Sequence, residues 1–99
     1  MKQADLLDMI DRCIALCEQE KAAGYSSEAT QYQIEDVVLP DLQKLRETVL
    51  SGDIPADPGL RHLLAFCVPF KCWDWDMIYP TELYTALANL QNTYRDYNI

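Results

Sequence analysis

Three apolar stripes recur at helical spacing along a chain of 99 residues, and that pattern leaves few folds open. Between Ala4 and Ala23, the positions Leu6, Leu7, Ile10, Cys13, Ile14 and Cys17 share one helix face. Ile34, Val38, Leu42, Leu45 and Val49, spaced by four, four, three and four, make a second stripe. Leu83, Leu87, Leu90, Tyr94 and Tyr97 make a third. An amphipathic helix gains most of its stability by packing its apolar face on something else. Three such faces in one short chain cover one another, so the expected fold is all-α. A chain of this length carries one core, and residues 1–99 are read as a single helical domain.

The residues between the stripes set the boundaries. Asp5 and Asp8 lie in the first turns of the first helix, where the dipole favours negative charge, and Gly24 supplies a left-handed stop. Ser26 and Ser27 offer the next N-cap. The second stripe keeps its phase through Pro40, which predicts one long helix to Leu50, kinked near Pro40, rather than two helices. After Ser51-Gly52, Asp57 can cap and Pro58 can open a short helix that must stop before Pro69. Residues 69–80 are irregular and rich in aromatics, and the last helix starts at Pro80 or Thr81. The expected architecture is a small helical bundle of three long helices and one short one. An aromatic-rich loop precedes the last helix, and the first two long helices form an antiparallel hairpin.

Composition excludes several classes of function. The chain has 16 acidic and 8 basic side chains, a formal net charge of -8. Nucleic acid and anionic membranes need clustered Lys and Arg, so neither is an expected partner. The longest apolar run, Leu63 to Phe70, is far too short to cross a bilayer, and the first residues lack the apolar core of a signal peptide. A soluble, cytoplasmic chain is the expectation. Cys13, Cys17, Cys67 and Cys72 then read as ordinary thiols. Their spacings fit neither a zinc knuckle nor a redox pair, and without an export signal a disulfide framework has no rationale. No cofactor or metal is expected.

His62 carries most of the case for an enzyme, and the case is weak. Arg61 beside it disfavours protonation, and Cys67 lies about 140° further around the same helix, too far for a dyad. No phosphate loop, nucleophile elbow or zinc-protease motif occurs. Asp74 and Asp76 supply two carboxylates of a calcium-loop pattern that then breaks off. The chain is read as non-catalytic.

What remains is surface. Residues 22–43 and 72–94 contain no Lys or Arg. In the first window Glu28 and Glu35 fall about 20° apart on a helix, with Tyr32 beside them and Asp36 next in the chain. In the second, Trp73, Trp75 and Met77 alternate with Asp74 and Asp76, Tyr79 lies within the same seven residues, and Glu82 follows. Tryptophan and tyrosine anchor interfaces, while acidic neighbours select basic partners. Met77 apart, these ten residues are the candidate partner-binding set, with at least one of the tryptophans also expected to fill the bundle's end.

The run Trp73-Asp74-Trp75-Asp76, then Pro80-Thr81-Glu82-Leu83 and a Leu/Tyr-rich terminal helix, resembles small helical immunity proteins of bacterial polymorphic toxin systems. The resemblance spans the last third of the chain. It implies an immunity protein or antitoxin that neutralises a basic toxin domain, such as a nuclease, by stoichiometric binding. The alternative is an adaptor or regulatory subunit whose hydrophobic groove accepts a partner helix. That reading expects Met9, Leu16, Val37 and Leu39 to be exposed, and the same residues would also serve a homodimer.

Overall fold

The structure is a computed structural model, and it describes residues 2–61 and 73–98. Three α-helices form its frame: α1 (Gln3–Ala22), α2 (Leu39–Ser51) and α3 (Glu82–Asp96). A π-helical stretch, Tyr32–Val38, runs directly into α2, and a 3-10 turn follows at Pro58–Leu60. No strand occurs among the described residues. The rest of the short helix expected to run to Cys67, beyond Arg61, falls outside them, as do His62, Cys67 and Cys72.

Each helix ends where its residues dictate. In α1, the Gly24 N–H donates to the Lys21 carbonyl at 3.0 Å and the Tyr25 N–H to the Glu20 carbonyl at 2.9 Å. This paired closure needs left-handed backbone, and Gly24 supplies it at φ 69°. Gly52 at φ 78° ends α2 the same way, with Asp53 N–H on the Thr48 carbonyl. Thr81 caps α3 by accepting the Tyr84 N–H at 3.1 Å, so the helix begins at Glu82, one residue after the later of the two expected starts.

The second helix begins later than Ser26 and Ser27 predict. Thr30 is the cap: its hydroxyl accepts the Gln33 N–H at 3.3 Å, while Gln33 Oε1 accepts the Thr30 N–H at 2.9 Å. That reciprocal pair satisfies two orphan donors at once. Ser27 is occupied elsewhere, donating to Glu20 at 2.7 Å. Proline 40 has no N–H and crowds the carbonyl four residues back. The turn before it is widened accordingly, and the Leu39 N–H reaches the Ile34 carbonyl five residues earlier.

The shared partner in the core is α1, which packs against both α2 and α3. Gln3 Nε2 donates to the Val49 carbonyl at 2.6 Å and Arg46 Nε to Asp11 at 2.8 Å, so α1 and α2 run antiparallel. An Arg12–Glu82 ion pair fastens the middle of α1 to the start of α3. The core holds Leu6, Ile10, Cys13 and Cys17 of α1, Ile34 and Val38 of the π stretch, Leu42, Leu45 and Val49 of α2, and Leu83, Leu87, Leu90 and Tyr94 of α3. Those are the centres of the three stripes. Leu16 and Leu39 are buried as well, whereas Leu7 and Ile14 are only half-buried.

Candidate functional site

The two base-free windows meet at the start of the second helix. Because Thr30 and Gln33 cap one another, the Gln33 amide is fixed with its oxygen facing the loop, and Trp75 Nε1 donates to it at 3.2 Å. Glu28, two residues before the cap, receives the Asp76 backbone N–H on both carboxylate oxygens, at 3.0 and 3.2 Å. The Trp75 ring enters the core, tilted against Tyr84 with centroids 6.2 Å apart, and the half-buried Trp73 ring lies 5.4 Å from it. The loop is therefore rooted by a buried indole and a carboxylate clamp.

Beyond that root the chain turns on Asp76. Its Oδ1 accepts the N–H groups of Ile78 at 2.8 Å and Tyr79 at 3.0 Å. Those two donors hold the Asp76 carboxyl below its ordinary value, since they bind only the ionised form well. The following side chains face water: Met77 is 69%, Ile78 81% and Tyr79 82% exposed.

The ten sequence-nominated residues separate into distinct roles. Trp75 belongs to the core and Trp73 supports it. Glu28 and Asp76 hold the loop. Glu35 accepts the Tyr25 hydroxyl, whose pKa is pushed up to about 12 by desolvation and by that carboxylate. Glu82 is paired with Arg12. Asp36, Asp74, Tyr32 and Tyr79 are exposed, and the two aspartates make no hydrogen bond or ion pair with another described residue. The structure thus brings Glu28, Trp73, Asp74, Trp75, Asp76 and Tyr79 to one place, while Tyr32 lies exposed on the π-helical stretch and Glu82 faces α1.

Sequence reasoning missed Gln33, Met77 and Ile78. Ile78 breaks the apolar and acidic alternation that Met77 continues, and the two are consecutive apolar residues that belong to no stripe, which was their available signal. Four apolar residues proposed for a groove divide evenly. Leu16 and Leu39 are buried, contrary to that expectation, because α1 packs on both neighbouring helices and the widened turn carries Leu39 inward; Met9 and Val37 are half-buried. A shallow depression of about 410 Å3 does lie between α1 and α3, lined by Asp8, Met9, Arg12, Glu82, Thr85, Ala86 and Asn89.

Burial pushes the Cys13 and Cys17 thiols up to about 12, so both are protonated and unreactive at neutral pH. No cluster of His, Cys, Asp or Glu among the described residues is arranged to hold a metal ion. No helix among them is long and apolar enough to cross a membrane. Comparison with known protein families, with curated proteins and with solved structures finds no match to this chain.

Proposed function

We propose that this chain is a non-catalytic protein-binding module, an immunity protein or antitoxin that neutralises a basic toxin domain by stoichiometric binding in the cytoplasm. The observation that carries this reading is the Glu28–Asp76 clamp together with the Gln33–Trp75 bond. These contacts join two stretches without Lys or Arg into one acidic, aromatic face. A nuclease binds a polyanion, so carboxylates placed where phosphates would lie compete for the same cationic surface. A second helix kinked at Pro40, with the aromatic-rich loop beyond its start, is part of the same proposal.

The test uses the intact chain as bait in extract of the cells that produce it, at low and at high salt. The expected result is a basic protein released by salt. Asp36→Lys with Asp74→Lys should then slow its association by roughly tenfold, because these carboxylates steer encounter without holding the fold. Equal capture by the charge-reversed bait would overturn the reading. The depression between α1 and α3 favours the adaptor as a second reading, with a partner helix as occupant and a salt-resistant complex as its signature.

A further inference from the structure

We infer that the loop tip Met77-Ile78-Tyr79 is the element that enters the partner, and that the partner offers it an apolar cleft rimmed by Lys and Arg. The inference rests on the protein-binding function proposed above and specifies how that surface works.

Three consecutive large apolar side chains, 69%, 81% and 82% exposed, form a projecting patch rather than a scattering of single residues. They project from a turn whose shape is already set. On one side Trp75 is buried and bonded to Gln33, and the Asp76 N–H is held by Glu28. Within the turn, the Asp76 side chain holds the N–H groups of both Ile78 and Tyr79. On the far side Pro80 leads into Thr81, which caps α3. A loop fixed at both ends and in its middle loses little conformational entropy on binding, which is the condition under which apolar contact converts well into affinity.

The charge around the tip selects the occupant. Glu28, Asp74 and Asp76 stand at its root, and no Lys or Arg occurs among residues 22–43 or 73–94. A second copy of this chain would bring the same carboxylates against these, and an anionic bilayer would repel them equally. A cationic rim around an apolar floor answers both features. The tip then governs dissociation and the carboxylates govern association.

The experiment places the photocrosslinker p-benzoylphenylalanine at Ile78, at Tyr32 and, as a remote control, at Glu47 on α2. Each intact variant is irradiated in native extract, and the crosslinked peptides are mapped by mass. The expected product joins position 78, and not position 47, to a basic protein at apolar residues flanked by Lys or Arg. With that protein purified, Ile78→Ser should raise the dissociation rate at least tenfold while leaving the association rate and the melting temperature unchanged. Tyr79→Ser serves as the second variant. Crosslinking of a basic protein from Tyr32 but not from Ile78 would overturn the inference and leave the proposed function standing. A second copy, a lipid, an acidic protein or no product from both positions would overturn the two together. A lowered melting temperature for both Ser variants would assign these side chains to the fold and overturn the insertion.

Discussion

Asp74 and Asp76 look equivalent in the sequence, two acids alternating with two tryptophans, yet their carboxylates do opposite things. Asp74 faces solvent, whereas Asp76 turns back to accept Ile78 and Tyr79 N–H groups. The distinction depends on backbone angles two residues downstream, which alternation alone does not encode. It has a pH consequence of definite sign. The folded pKa of Asp76 lies below its ordinary 3.8, so the turn's two bonds contribute above that value and are lost only as pH falls through the lowered one. In an NMR titration, the Ile78 and Tyr79 amide protons should keep their bonded shifts at pH 3.8 and move only below it. A midpoint above 3.8 for both amides would show that the turn is not held this way. Trp73 and Trp75 pose a similar problem of assignment. The sequence leaves open which one fills the core, and the answer lies in Gln33, whose capping geometry puts an acceptor 3.2 Å from the Trp75 Nε1.

The apolar stripes made the helices legible because their spacing is a local property, and helix ends marked by Gly24, Gly52 and Thr81 were legible for the same reason. Contacts between distant segments were not. Arg61 shows why. It is 5% exposed, and no carboxylate is among its hydrogen-bond acceptors in the described residues. Its Nε donates to the Pro55 carbonyl at 2.6 Å, and its Nη1 to the carbonyls of Tyr94, Arg95 and Tyr97 at 3.2, 3.2 and 2.6 Å. The last turn of α3 exposes unsatisfied carbonyls and the negative end of a dipole, and the guanidinium answers both. In sequence Arg61 is merely the neighbour of a lone histidine, more than thirty positions from the helix end it closes. Arg61→Met keeps much of the length but removes every donor, so the part-buried carbonyls of Pro55, Arg95 and Tyr97 lose this partner. It should cost about 2–4 kcal/mol in urea unfolding, with hydrogen exchange accelerating first in the last turn of α3. Arg61→Lys should recover only part of this, since one ammonium cannot span carbonyls on both sides as a fork does. The widened turn at Tyr32–Val38 was illegible for a different reason: proline announces a disturbance, and the packing of Ile34, Val38 and Leu39 decides the form it takes.

At the scale of the whole chain, folding and binding place opposite demands on one charge distribution. Sixteen acids and 8 bases are gathered within a radius of gyration of 13.1 Å, comparable with the Debye length of about 10 Å at 0.1 M salt. Four described bases already sit in exposed pairs, Arg12–Glu82, Lys21–Glu18, Arg46–Asp11 and Arg95–Asp96. Exposed pairs contribute only about 0–1 kcal/mol each, and salt weakens them. The surplus of carboxylates repels itself over the whole molecule, and salt relieves that too. With acids outnumbering bases two to one, relief outweighs loss. Raising NaCl from 20 to 500 mM should therefore stabilise the isolated chain by about 1 kcal/mol, a rise of about 4–8 °C in melting temperature for a domain of this size. The same change should slow association with a basic partner, because Asp36 and Asp74, which pair with no other described residue, lose their reach. Thermal melts and association rates followed across one salt series check both slopes. Slopes of opposite sign would mean that the acidic face is kept at a cost to folding, as a charge-selected partner would require. A melting temperature that falls with salt would mean that the four pairs dominate, and the acidic surplus would then need no partner to account for it.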